Sequence, residues 1–181
     1  MPSLSEKQHG DQARAVSSAD ADRFLSLIDT HQRLLLKVCW TYTRNSHDRD
    51  DLLQEIVSRL WASFRGYDES RTFSTWMYRV ALNVAIDFYR RRHRREGKSL
   101  IIDDANEPRV AFDEDKQEQL QELRELMEQL SEGDRAILLL CLEGNSYREI
   151  AEIIGISESN VGTRLSRLKK SLRQSVDTSN R

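Results

Sequence analysis

Residues 87–95 read DFYRRRHRR, so that Arg90, Arg91, Arg92, His93, Arg94 and Arg95 follow directly on Phe88 and Tyr89. A cationic run beside aromatic rings suits one chemistry above others. Guanidinium groups hold a phosphate backbone while the rings offer faces to unstacked bases. The chain as a whole is close to neutral, with 28 Lys+Arg against 30 Asp+Glu, so the run is a local device and not a consequence of composition. Cations also suit a helix C-terminus, where they meet the negative end of the dipole. One or two arginines would satisfy that need, and five exceed it.

A second constellation lies near the end of the chain, in NSYREIAEIIGISESNVGTRLSRLKKSLR. Ile150, Ala151 and Ile154 form the inner face of a short helix, Gly155 and Ile156 make a turn, and Ser157 caps a further helix with Val161, Leu165 and Leu168 facing inward. The small Ala151 permits a close helix crossing, Gly155 permits a left-handed backbone, and Val161 plugs the angle between the helices. Together these three describe a helix-turn-helix more closely than an ordinary hairpin with a solvated basic face. The opposite side of the last helix presents Ser159, Asn160, Thr163, Arg164, Ser166, Arg167 and Lys170. In a DNA major groove, Arg can take two acceptors on guanine, Asn can pair with adenine, and the hydroxyls and lysine can reach bases or phosphates.

Catalytic chemistry finds no comparable support. There is no glycine-rich phosphate loop, nucleophile elbow or Cys/His cluster. The acidic pairs Asp50-Asp51 and Asp103-Asp104 fall at a helix start and in a linker, without the converging ligands a metal site needs. A metal-dependent nucleic-acid enzyme is therefore disfavoured, and no cofactor is expected. Cys39 and Cys141 lie far apart on apolar stripes, as buried free thiols would. No apolar run approaches the roughly 20 residues of a membrane span, and MPSLSEKQHGDQAR has no apolar signal core. The expectation is a cytoplasmic protein that does not insert in membranes.

The elements that position these residues are all helical. Only 7 Gly and 2 Pro interrupt the chain and 32% of residues are charged, which favours helices with solvated faces. A polar segment without periodicity covers residues 1–20 and is expected to be disordered. A first helical domain spans 21–97. Its stripes are Phe24, Ile28, Leu35, Val38, Cys39 and Tyr42 from Ala21 on, then Leu53, Ile56, Val57, Leu60, Trp61 and Phe64, then Met77, Val80, Ala81, Val84 and Phe88 after a Thr72 cap. Residues 98–117 are acidic and contain Pro108, and read as a flexible linker. A second helical domain follows at 118–175, with a short tail at 176–181. It has a stripe of Leu120, Leu123, Leu126, Met127 and Leu130, a turn over Ser131 to Asp134, an apolar helix from Ala136, and a Ser146/Glu149 capping box. The fold class expected is all-α, two small domains.

Two stretches of the first domain and the helix-turn-helix together resemble the extracytoplasmic-function group of bacterial sigma factors. DLLQEIVSRLW (Asp51 to Trp61) is similar to the family's Asp-Leu-x-Gln-Glu helix, and FSTWMYRVALNVAIDFYRR (Phe73 to Arg91) to its Phe-x-x-Trp-Leu-x-x-Ile-Ala-x-Asn-x-x-x-Asp pattern. The resemblance covers about residues 22 to 175. It implies a protein that binds core RNA polymerase, reads the minus-35 element of promoter DNA with the helix-turn-helix, and opens the minus-10 element. Asp51, Gln54, Glu55 and Arg59 would face the polymerase. Tyr67, Arg71, Thr72 and Phe73 would lie near a flipped base, Asn83 on the exposed strand, and Arg79 would join the cationic run 90–95. An anti-sigma protein is a further partner that the resemblance implies. Gly162 stands where many relatives carry a basic or polar residue and the loop GYDESRT is longer than in some, so no promoter sequence is carried over. A helix-turn-helix regulator acting without polymerase is the competing reading. It leaves the first domain and its arginines without a task.

Overall fold

The computed structural model describes residues 18–96 and 114–179, with side chains described at 18–94 and 121–174. Among the described residues there are seven α-helices and no strand. They are α1 (Ser18–Tyr42), α2 (Ser46–Ser63), α3 (Phe73–Glu96), α4 (Glu114–Glu128), α5 (Glu132–Leu142), α6 (Tyr147–Ile154) and α7 (Glu158–Ser179), with a single 3-10 turn, Phe64–Gly66, after α2.

Local chemistry sets most boundaries. Thr41 and Thr43 turn their hydroxyls back onto the carbonyls of Lys37 and Cys39 as α1 ends. Asn45 then takes an extended backbone, and its side chain accepts the Asp48 N–H at 2.8 Å, which caps α2. Ser131 caps α5 in the same way. Ser146 and Glu149 complete the expected capping box of α6, which ends at Gly155 in the left-handed region (φ 80°).

Helices α1, α2 and α3 pack around Leu35, Val38, Cys39, Leu52, Ile56, Leu60, Met77 and Ala81, all at most 1% exposed. Helices α4 to α7 close over Met127, Ala136, Ile137, Leu140, Ile150, Val161 and Leu165. The buried row of α2 corrects the expected stripe. It runs Asp48, Leu52, Ile56, Leu60 at intervals of four, while Leu53 and Val57 are only half-buried. Helix α1 begins at Ser18, three residues before the expected start. Helix α4 begins at Glu114 and so takes in residues assigned to the acidic linker, and α5 begins at Glu132 inside the expected turn. Residues 1–17, 97–113 and 180–181 lie outside the described residues. So do most of the expected linker and the expected disordered N-terminal segment.

The two domains pack against each other. Helix α3 carries Tyr78, Leu82 and Ala85 into a second buried face, and both α5 and α6 lie against it. Burial first, and then the charge of Glu143 at the end of α5, raise the Tyr78 hydroxyl above its ordinary range. The Tyr42 hydroxyl donates to the Glu132 carbonyl at 2.6 Å. Arg135, 2% exposed, lies over the Tyr89 ring at 4.5 Å, donates to its hydroxyl at 2.9 Å and donates to the carbonyls of Glu128 and Leu130 at the end of α4. One buried guanidinium thus finishes α4 and joins it to α3.

Candidate nucleic-acid interface

Helix α7 sorts its side chains by period. Val161, Leu165 and Leu168 are buried, while Ser159, Asn160, Thr163, Ser166, Arg167 and Lys170 are exposed. Ser159, Thr163, Ser166 and Lys170 follow one another at three- and four-residue steps, with Arg167 next to Ser166 and four residues after Thr163, and these residues line one side of the helix. Gly155 and the Ser157 cap start the helix. The Ser157 hydroxyl accepts the Asn160 N–H at 3.2 Å, and the Thr163 hydroxyl donates back to the Ser159 carbonyl at 2.9 Å. Arg164 is set apart from this row. It is half-buried, and its guanidinium is held by Asp134 of α5 at 2.7 and 2.8 Å.

The loop before α3 is pinned at every step. Tyr67 and Phe73, at its two ends, pack ring to ring at 5.4 Å inside a cluster with Phe64 and Trp76. The Tyr67 hydroxyl donates to the Arg71 carbonyl at 2.6 Å. The Asp68 carboxylate accepts the Ser70 N–H, and hydrogen bonds from the side chain and backbone of Ser70 hold it below the usual carboxylate range. Glu69 is tied to Arg23 of α1 at 2.6 Å, and Arg71 to Glu152 of α6 at 2.7 Å. Thr72 is exposed, with its hydroxyl 2.7 Å from that of Thr75. Phe73 is 7% exposed and its ring is an anchor of the cluster, with no face open to a base.

On α3, Arg79 and Asn83 are exposed one turn apart. The arginine run that follows is only partly a free cationic surface. Arg91 holds Glu55 of α2 at 2.7 Å, Arg92 holds the buried Asp48, Arg90 reaches Glu132 at 3.4 Å, and the Arg94 side chain donates to the Arg90 carbonyl. Arg91 and Arg92 therefore seal α3 onto α2. The Arg95 side chain lies outside the described residues.

On α2, Asp51, Gln54 and Arg59 are exposed and Glu55 is half-buried. Asp51, Gln54 and Glu55 line a groove of about 550 Å³ between α2 and α3, together with Ser58, Phe88, Arg91 and Arg92. The groove is mixed in charge and includes the Phe88 ring, which suits a helix carrying both signs of charge. Two groups that organise this region are not among the expected site residues: Asp48, an acid at the start of α2 that shares the four-residue row of Leu52 and Ile56, and Arg135, which has no signal of its own apart from adjoining Ala136 and Ile137. No group of three His, Cys, Asp or Glu that could hold a metal occurs among the described residues. Cys39 is buried and free, and Cys141 is half-buried and free.

Two family profiles match, in the order of the two domains: Sigma-70 region 2 over residues 27–95 and Sigma-70, region 4 over residues 120–172. The chain belongs to the sigma-70 family. Within it, the ECF RNA polymerase sigma factor SigE of Mycolicibacterium smegmatis is 31% identical over 91% of this chain, which spans 63% of that protein's length. The ECF RNA polymerase sigma factor SigW of Bacillus subtilis is 27% identical over 90% of this chain and 94% of its own. These relatives place the chain in the extracytoplasmic-function group, as an alternative sigma factor directing transcription initiation. The fold is shared with the sigma factor RpoE of Bartonella quintana, solved in complex with the anti-sigma factor NepR, with a TM-score of 0.67 at 20% identity, covering 89% of this chain and 98% of that one. Residues 27–95 are thus region 2 and residues 120–172 region 4. No helix among the described residues is long and apolar enough to cross a membrane.

Proposed function

We propose that this sigma factor binds core RNA polymerase through the α2 and α3 groove of region 2, opens the minus-10 element with the 66–72 loop and α3, and reads the minus-35 element with α7. The observation that carries this reading is the exposed polar row of α7 in the same chain as the exposed Asp51, Gln54 and Arg59 of α2. One surface has the donors that a major groove accepts, and the other has the mixed charge that a polymerase helix would meet. Asn83 and Arg79 supply polar contact to a separated strand, and Tyr67, Arg71, Thr72 and Phe73 build the loop that faces it. In this reading Phe73 acts by holding the loop, since its ring is buried. Arg90 and Arg94 contribute charge to the strand, with Arg95 beyond them, while Arg91 and Arg92 set the angle of α3 on α2. An anti-sigma protein is the expected regulator, supported by the complex in which the similar RpoE fold was solved.

Run-off transcription with core polymerase, the full chain and fragmented host DNA tests the reading. Transcripts that require the chain and share two upstream elements at a fixed spacing support it. Binding to DNA without binding to core polymerase would return the chain to the class of independent regulators.

A further inference from the structure

Arg164 sits in the middle of the recognition helix and has the side chain best suited to guanine, yet its geometry points elsewhere. Its Nε and Nη2 both lie on Asp134 Oδ1, at 2.8 and 2.7 Å. Asp134 is not a loose acceptor. Its other oxygen accepts the Ser131 hydroxyl at 2.7 Å, and its own N–H donates to Ser131 Oγ, so the carboxylate belongs to the cap that starts α5. Both side chains of the pair are about a quarter exposed, 28% and 26%. The guanidinium also lies across Gly133. A Cβ at that position would stand 3.5 Å from Nη1, an ordinary contact, but 3.0 Å from Nη2, closer than side chains usually approach. A residue other than glycine there would require the guanidinium to give by a few tenths of an ångström.

Resting on the minus-35 reading above, we propose that Arg164 is a positioning residue that locks α7 to the first turn of α5, and that base preference at the minus-35 element is carried by Asn160, Thr163 and Arg167. Arg167 is exposed, and among the described residues it has no ion-pair partner. It lies one turn beyond Thr163 and two beyond Ser159 on the exposed row. For Arg164 to read a base, the carboxylate of Asp134 would have to be left in its cap without its cation, a cost that Arg167 does not incur. Bound to Asp134, Arg164 instead fixes how deep and at what angle the row enters the groove, which affects every sequence alike. The glycine at 133 is part of the same device.

The test separates uniform from base-specific loss. Full-length variants assembled with core polymerase are bound to a library randomised across the minus-35 element, and their folding is checked by thermal denaturation. Arg164→Ala and Asp134→Ala are expected to lower occupancy on all sequences by similar factors, with the order of preference unchanged and the double variant no worse than either single one. Gly133→Ala, which crowds the guanidinium without deleting it, should give a smaller loss that is also uniform across sequences. Arg167→Ala should instead flatten preference at one base pair by about tenfold or more. The proposal is overturned if Arg164→Ala removes preference at a single base pair while Asp134→Ala and Gly133→Ala leave it intact, or if losses at 134 and 164 simply add. The wild-type chain controls for the reading beneath: if it shows no minus-35 preference, that reading fails and the proposal goes with it.

Discussion

Among the described residues, ion pairs of one polarity cross between the domains: Lys37 to Glu143 and Arg44 to Glu128 at 2.6 Å, Arg71 to Glu152 at 2.7 Å and Arg90 to Glu132 at 3.4 Å. In these four pairs the cation comes from region 2 and the carboxylate from region 4. The side chains are 24% to 56% exposed, so solvent screens them and each is worth about 0.2 to 1 kcal/mol. Replacing Arg44 and Arg71 by Glu removes two of the four pairs, about 0.4 to 2 kcal/mol. That is roughly a 2- to 30-fold rise in the ratio of open to packed chain, before any repulsion is added. The assay is energy transfer between dyes at Ala62→Cys and Lys169→Cys in a Cys141→Ser background. Transfer should fall in the reversed variant and recover when Glu128→Arg and Glu152→Arg are added. Raising salt from about 0.15 to 1 M, which shortens the Debye length from about 8 to 3 Å, should lower transfer in the parent chain as well. Arg71 and Arg90, both assigned to promoter opening in the proposed function, lose their carboxylate partners when the parent chain opens. Transfer insensitive to both salt and reversal would refute the electrostatic account and leave the buried face of Tyr78, Leu82 and Ala85, with Tyr42, Tyr89 and Arg135, as the adhesion.

Three further outcomes are expected. Glu149 is held below the usual carboxylate range by hydrogen bonds from the Ser146 side chain and backbone, so its contribution is present above the unfolded value near 4.5 and lost as pH falls through the lower folded value. The gap in denaturation midpoint between the parent and Glu149→Gln should accordingly be full at pH 7 and close in strong acid. Gly162→Ala should stabilise the chain by about 1 kcal/mol and raise Tm by about 2 to 4 °C in a thermal melt, because the added methyl meets only ordinary contacts with the Tyr147 ring at 3.6 and 3.7 Å. Burial pushes the Cys39 thiol up to about 12, so at pH 8 its alkylation should proceed only as fast as the chain opens, while the half-buried Cys141 reacts sooner.

Much of the candidate site was legible before any coordinates. The capping box at Ser146 and Glu149, the glycine turn at Gly155 and the inward Val161, Leu165 and Leu168 are all local. Each depends on residues within a turn or two of one another, and each appears as expected. Illegible were the uses to which exposed-looking charges are put. Asp48 stands among the acids that open α2, a position that ordinarily faces solvent, yet it is buried beneath Arg92, 44 residues away. Nor does the local pattern around Phe73 show that its ring closes a cluster with Phe64, Tyr67 and Trp76.

By itself, then, the sequence determined the helices, their caps and which face of each turns inward, because hydrophobic period and capping chemistry act over three to eight residues. Through its motifs it also determined the family. Only the tertiary structure decided which arginines remain free. The partners of Arg71, Arg90, Arg91, Arg92 and Arg164 lie 30 to 81 residues away along the chain, and no local pattern encodes a meeting that depends on how whole helices pack. A run of arginines has the same appearance in sequence whether its charge is turned toward DNA or spent on the carboxylate of a neighbouring helix. Packing, which brings α2 and α5 within reach of α3, makes that choice.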